Sequence, residues 1–178
     1  MGHILAFTAS GRAGSISTRL VHLAAEIAKN NGHKIEYIDL TAPQLQCCSG
    51  CGYCRTNDSC SINDGFFDKI IGCDGIIVGF PIYFSGVAGQ GKIFLDRLYA
   101  MMDASFVPRH PGKKVLSIYV QGDSNEKMFQ SSIFFADYVF HMCGWKQLDS
   151  VLCAGTHATG LEISDGVSAR VKAAAEKF

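Results

Sequence analysis

"HILAFTASGRAGSISTRLVHLAAEIAKN", residues 3–30, decides the fold. HILAFTA (3–9) is a short apolar run that closes on small polar residues, the pattern of a buried strand. The period then changes. Ile16, Leu20, Leu23 and Ile27 are spaced by four, three and four, which sets them on one face of a helix from about Ser15 to Asn30. Gly32 follows Asn30 and Asn31 and is a natural stop. KIEYIDL (34–40) alternates and predicts a second strand.

The same unit recurs along the chain. A short helix is expected near Phe66–Ile71, before GIIVGF (75–80), which is apolar throughout, as a central parallel strand should be. A helix from about Ala88 to Met102 carries Phe94, Leu98 and Met102 on one side. KVLSIYV (114–120) is a fourth strand, residues 125–142 a further helix, QLDSVLCAG (147–155) a fifth strand and Val167–Lys177 the last helix. Five strands alternating with helices predict an α/β fold, a doubly wound parallel sheet. Its crossovers should be right-handed. Ligands in such sheets lie outside the carboxyl ends of the strands, at the switch point, so the loops after strands one, three and four matter most.

Length and composition agree. With 178 residues and 48% apolar content, one domain over 1–178 with a well-formed core is expected. Lys+Arg and Asp+Glu are 16 each, so no charge excess points to nucleic acid or an anionic membrane, and near-neutrality favours self-association. No stretch is long and apolar enough to span a bilayer. MGHILAFTAS lacks the basic start and long apolar run of a signal peptide, and Ala6 stands where a myristoylation signal wants Ser or Thr. A cytoplasmic location is expected. There the eight cysteines are thiols, ligands or redox groups rather than structural disulfides.

The loop after strand one, ASGRAGSIST (9–18), leads straight into a helix. Backbone N–H groups at a helix N-terminus, aided by its dipole, suit phosphate. Ser10, Ser15, Ser17 and Thr18 add hydroxyls, and Arg12 adds positive charge. The loop is neither GxGxxG nor GxxxxGK[ST], which argues against a Rossmann dinucleotide site and a P-loop. A plainer role is a loop whose Ser15 caps a helix. After strand three, GFPIYFSGVAGQGKIFLDRL (79–98) has Pro81 fixing a turn just past the strand, then Ile82, Tyr83 and Phe84 at the ligand edge, where an aromatic can meet a flat ring. Ser85 and the nearby glycines allow close backbone approach. Lys92 and Asp96, four apart, are set for an ion pair. After strand four, Gly122 marks a turn and Asp123 and Ser124 are candidate caps for the next helix. His157, in GTHATG after strand five, is a lone loop histidine of the kind more often solvated than catalytic.

CCSGCGYCRTNDSC (47–60) holds five cysteines in fourteen residues. Cys48, Cys51, Cys54 and Cys60 are separated by two, two and five residues, and Cys47 falls outside that spacing. Closely spaced thiolates suit an iron–sulfur cubane. Structural zinc more often uses two well-separated CxxC knuckles. Free thiols, some of them redox-active, also fit CxxC steps. Cys73, Cys143 and Cys153 lie in or beside apolar elements and are expected to pack. The 125–142 helix carries Phe134, Phe135, Tyr138, Val139, Phe140 and Met142. Being apolar on more than one side, it needs a partner surface or a place under the C-terminal helix.

These loops together resemble the flavodoxin-like NAD(P)H-dependent FMN reductase family over roughly residues 3–124. Residues 9–17, A-S-G-R-A-G-S-I-S, are similar to its "GSxRxxSxN" segment, with Ser10, Arg12 and Ser15 matching, Ala9 in place of glycine and Ser17 where asparagine is common. The segment FPIYF…GKIFLDR is similar to "PxY…K.F.DR". The cysteine loop resembles that of the iron–sulfur flavoproteins, a branch whose compact CxxCxxC and fourth cysteine hold a [4Fe–4S] cluster. A similar segment also occurs in flavin reductases with no cluster.

The resemblance implies strand order 2-1-3-4-5, FMN as cofactor, NAD(P)H as donor and a small-molecule acceptor or redox protein as partner. It also implies a homodimer or homotetramer. Ser10, Arg12, Ser15, Ile16, Ser17 and Thr18 would hold the phosphate. Pro81, Ile82, Tyr83, Phe84 and Ser85 would line the ring, with Gly122 and Asp123 on its other edge. No conventional acid–base residue is required, because flavin carries the chemistry. Cys48, Cys51, Cys54 and Cys60 would be the cluster ligands. The spacing leaves two alternatives: FMN exchanging electrons with a cluster, or a zinc-stabilised interaction module.

Overall fold

The computed structural model describes residues 1–43 and 45–178. In chain order the elements are β1 (His3–Thr8), α1 (Ile16–Asn30), β2 (Lys34–Asp39), α2 (Tyr53–Thr56), α3 (Phe66–Ile71), β3 (Gly75–Tyr83), β4 (Gly86–Val87) and α4 (Gly89–Arg97). A 3₁₀ turn at Leu98–Met101, β5 (Lys114–Val120), α5 (Gln130–Met142), β6 (Lys146–Cys153), α6 (Thr156–Thr159) and α7 (Asp165–Ala175) complete it. The sheet runs β2-β1-β3-β5-β6, and every pairing along that path is parallel. With the two-residue β4 set aside, this is the expected 2-1-3-4-5 order of a flavodoxin-like sheet.

Strand alternation splits the core in two. Leu5, Phe7, Ile76, Val78 and Phe80 point to the face covered by α3, α4 and α5, where Phe94 and Phe140 are fully buried. Ile4, Ala6, Ile77, Leu116 and Ile118 point to the face covered by α1 and α7. Helices on both faces explain why β3 is buried over nearly its whole length while the edge strand β2 alternates.

Several boundaries differ from expectation for identifiable reasons. The third strand continues to Tyr83, so Pro81 lies inside it instead of in a turn beyond. Ile82 pairs with Val87 in a hairpin, and the Pro81 carbonyl accepts from Ala88 N–H at 2.8 Å. The α-helix after β4 ends at Arg97 and tightens into the 3₁₀ turn, where the Met101 carbonyl accepts from Arg109 N–H. The helix expected from 125 starts at Gln130. Asp123 Oδ1 accepts from Asn125 N–H at 2.7 Å and Asn125 Oδ1 from Lys127 N–H at 3.1 Å, turns that compete with helix. So Asp123 and Ser124 do not cap α5. The single turns α2 and α6 are too short to show a period.

α5 turns Ile133, Ala136 and Phe140 to the sheet and leaves Phe134, Phe135 and Tyr138 exposed at 61%, 65% and 47%. It does not lie under the C-terminal helix, because α7 packs with α1 on the opposite face. Asp137 anchors it, with its Oδ1 accepting from Ser117 Oγ and Tyr119 OH, both at 2.7 Å. Burial, reinforced by that carboxylate, pushes the Tyr119 pKa well up. No helix among the described residues is long and apolar enough to cross a membrane.

Candidate functional site

The carboxyl ends of β1, β3 and β5 meet at one edge of the sheet. There Ser15 is the N-cap of α1: its Oγ accepts from Thr18 N–H at 3.2 Å and donates to Thr18 Oγ1 at 2.8 Å. Ser15 and Ser17 hydroxyls lie 3.2 Å apart, and Ser10 Oγ accepts from Arg12 N–H at 3.3 Å. Ser10, Ser15 and Ser17 are all buried, an uncommon place for three hydroxyls unless something polar is to be met there. The first N–H groups of α1 have no intrahelical acceptor. Together they form an anion-ready concavity.

One cavity of about 160 Å³ gathers Ser10, Arg12, Ser15, Ile16 and Ser17 with Pro81, Ile82, Tyr83 and Gly122. Nine predicted residues from three loops thus face one space. Thr18, Phe84, Ser85 and Asp123 flank it without lining it. Thr18 is spent on the cap. Phe84 and Ser85 are the two central residues of the β3–β4 hairpin, with φ of 47° and 71°. Two consecutive left-handed non-glycine residues form a turn that normally wants Asn-Gly, so strain is held at the rim of the cavity. Phe84 is wholly exposed. Asp123 shapes its loop: its carbonyl accepts from Gln121 Nε2 at 3.0 Å and from Gly155 N–H at 2.9 Å.

The sequence underrated His157. Residues 155–157 fold back on the β5 loop, with Thr156 Oγ1 donating to the Gln121 carbonyl at 3.1 Å and His157 N–H to the Gly122 carbonyl at 3.1 Å. The imidazole therefore lines the same cavity, over Gly122, where a Cβ would stand 2.2 Å from His157 Nε2. Only a residue without a side chain permits that contact. No local pattern announces it, since it depends on where β6 returns.

A second cavity, about 370 Å³, is lined by all four predicted ligands, Cys48, Cys51, Cys54 and Cys60. Cys47 is exposed and does not line it. Gly50 and Gly52, at φ of 67° and 74°, let the loop curl so that its thiols face one side. A hydrogen bond with Ser61 Oγ at 3.1 Å, with backbone help from Tyr53, holds the Cys51 thiol below its ordinary pKa. Burial, and then the neighbouring thiols led by Cys60, push Cys54 up. The other buried thiols are packing groups as expected, with burial pushing Cys73 to about 11 and Cys143 to about 12. At such values they are inert.

Arg97, the last residue of the GKIFLDR segment, and Arg109 hold this loop from outside, and Arg55 ties it to its surround from within. Arg97 donates to Asp64 through Nη1 at 2.6 Å and Nη2 at 2.9 Å, and through Nη1 to the Gln46 carbonyl at 3.0 Å. Arg109 donates to the Cys54 carbonyl at 2.7 Å. Arg55 stacks 4.7 Å over the Phe106 ring and donates to Tyr99 OH. Lys92 and Asp96 form the expected ion pair nearby. Among the described residues no three His, Cys, Asp or Glu side chains converge on a point as a single metal ion requires. A cubane asks something different: its thiolates bind separate corners, so they must surround a space. The four cysteines line one.

The family described as NADPH-dependent FMN reductase matches residues 3–132. An iron–sulfur flavoprotein from Methanosarcina thermophila is 30% identical over 134 residues, covering 72% of this chain and 69% of that protein. An iron–sulfur flavoprotein from Methanocaldococcus jannaschii is 34% identical over 97 residues, covering 53% of this chain and 50% of that one. So the chain spans about two thirds of the first relative's length and half of the second's. Among solved structures, a flavone reductase superposes with a TM-score of 0.73 at 19% identity, over 98% of this chain and 60% of its own, a likeness of fold. With the phosphate-ready loop at the β1 edge and a match over most of its length, the chain belongs to the NADPH-dependent FMN reductase family and is an FMN-dependent oxidoreductase.

Proposed function

We propose that FMN is held with its phosphate on Ser10, Arg12, Ser15, Ile16, Ser17 and Thr18. Its ring lies along Pro81, Ile82, Tyr83, Phe84 and Ser85, with Gly122 and Asp123 at the other edge. The observation that carries this is the single cavity shared by the β1, β3 and β5 loops. The residues fit the group: three buried hydroxyls, a helix N-terminus and a cation suit a phosphate, and a hairpin rich in aromatics suits a flat ring. When bound, FMN would accept a hydride from NAD(P)H and pass electrons to a small-molecule acceptor or a redox protein. The chain's part is to anchor the phosphate and keep the ring edge open. Tyr83, half exposed, leaves that edge reachable.

A charge-assisted hydrogen bond to phosphate contributes about 1.5–3 kcal/mol. Arg12→Ala should therefore weaken FMN binding roughly tenfold or more by fluorescence titration. Riboflavin, which lacks the phosphate, should bind both proteins alike. An unchanged FMN affinity in the variant, or no FMN binding by the unmodified chain at micromolar concentrations, sinks the assignment.

A second reading is favoured by the cysteine cavity: Cys48, Cys51, Cys54 and Cys60 hold a [4Fe–4S] cluster that exchanges electrons with FMN. The four thiols around one space and the arginines at its wall fit a group of net negative charge. Its relatives' names point the same way. Anaerobic purification followed by iron and acid-labile sulfide assay tests it. Serine at any one of the four should lower both, whereas Cys47→Ser should leave both unchanged. Absence of both from the unmodified chain would leave free thiols, and zinc by metal analysis would leave a zinc-stabilised loop. Self-association as a homodimer or homotetramer accompanies either reading, supported by the exposed aromatics of α5. The chain is read as one domain working in the cytoplasm.

A further inference from the structure

We infer that Arg97 is a positioning residue for the iron–sulfur site, presenting a buried N–H to the Cys60 sulfur and favouring the reduced cluster. The inference rests on the cluster reading above. A guanidinium has five N–H donors. In Arg97, Asp64 takes one from each terminal nitrogen and the Gln46 carbonyl takes another from Nη1. Nε is buried and has no partner. The residue is only 2% exposed, so bulk water does not serve it. A buried donor left unmade costs about 1–3 kcal/mol, so a folded protein that keeps one there is short of an acceptor.

The neighbouring group is Cys60. Both residues line the cysteine cavity, and the Cys60 thiol favours the charged guanidinium. A protonated thiol is a weak acceptor, whereas a metal-bound sulfur is a thiolate and a good one. Cluster ligation by Cys60 would therefore supply what Nε lacks. The other two arginines are placed differently. Arg109 and Arg55 spend their donors on the Cys54 and Ala104 carbonyls and on Tyr99, so they hold the loop's backbone and its surround. Among the described residues with orphaned buried side-chain atoms, only Arg97 lines this cavity.

The position has a direction of effect. One-electron reduction adds one negative charge to the cluster and its sulfurs. A fixed cation with an N–H aimed at a ligand sulfur favours the more negative state, and hydrogen bonds to sulfur are a known lever on potential. Asp64 and the Gln46 carbonyl lock the fork, so the guanidinium's charge is held in place at the cavity wall before the cluster's charge arrives.

The test uses the chain anaerobically reconstituted with FMN, iron and sulfide. Iron and acid-labile sulfide counts establish loading, and a dithionite titration followed by electron paramagnetic resonance gives the cluster midpoint. Arg97→Lys keeps the charge and loses the fork. The double variant Asp64→Asn with Arg97→Gln removes both charges, so it leaves no orphaned ion and remains testable if the lysine variant does not fold. Both should lower the reduced-to-oxidised ratio at a given potential about tenfold, a shift of about 59 mV for one electron. Resonance Raman should show altered iron–thiolate stretching. An arginine with a purely structural role would lower the unfolding midpoint and leave potential and spectrum alone. Loaded variants with unmodified potentials overturn the inference and leave the cluster reading standing. An unmodified chain that takes up neither iron nor sulfide overturns both.

Discussion

Asp64→Ala should lose about 3–5 kcal/mol of stability, read as a drop in the urea midpoint at neutral pH with an unchanged slope. The side chains of Arg97 and Asp64 are 1% and 6% exposed, and two hydrogen bonds join them in a fork. Arg97 also stacks 5.1 Å over the Phe66 ring, which belongs to the core. Removing the carboxylate leaves a guanidinium with no counter-charge in a nearly dry site. Breaking a buried pair costs far more than the pair contributes relative to an apolar replacement. The double variant Asp64→Asn with Arg97→Gln should therefore lose much less than Asp64→Ala. Equal losses would show that the cost lies in packing.

The same pair sets a pH dependence. The Arg97 guanidinium, donating twice, holds the Asp64 carboxyl below its ordinary pKa. A carboxyl depressed in the folded state stabilises above its unfolded value and loses that contribution as pH falls through its folded value. The loss is thus confined to acid below the ordinary carboxylate range. Asp64→Asn should flatten that part of the stability–pH curve.

Gly79→Ala is the second large expected effect, a loss of about 1–3 kcal/mol by overpacking together with weaker FMN binding. Gly79 is where β3 passes beneath α1. A Cβ there would stand 2.6 Å from Val21 Cγ2 and 3.0 Å from the Ser17 carbonyl oxygen. Val21 is fully buried and cannot swing away, and the Ser17 carbonyl is helix backbone. The relief open to the chain is to lift α1, whose first turn carries Ser15, Ile16 and Ser17. Thermal unfolding and FMN titration should move together. Gly11→Ala is the control: a Cβ there meets nothing within 4 Å, although the residue sits in the same loop. If Gly79→Ala destabilises and leaves FMN affinity intact, the phosphate site does not depend on the seat of α1.

Much of this protein is legible in one dimension because its decisive signals are local. The switch from a short apolar run to a four-three-four spacing is a property of neighbouring residues, and so is the capping role of Ser15. β1, β5 and α3 fall where period and burial place them. Short elements and competing turns were not legible, since one turn of helix has no period and the Asp123 and Asn125 side chains divert the chain before α5 begins.

The sequence by itself determined a flavodoxin-like parallel sheet, the loops that would meet at its carboxyl edge, and the four cysteines that belong together. That last grouping comes from the resemblance of CCSGCGYCRTNDSC to the iron–sulfur flavoprotein loop. Only the tertiary structure decided that His157 closes the same cavity over Gly122, and that Arg97 and Arg109 reach the cysteine loop. These contacts join residues up to 55 positions apart, brought together by β-strand order and helix packing. Local periodicity has no means of encoding such distances. Burial does: it turns an ordinary arginine into a fork locked on Asp64, with its Nε left unpartnered.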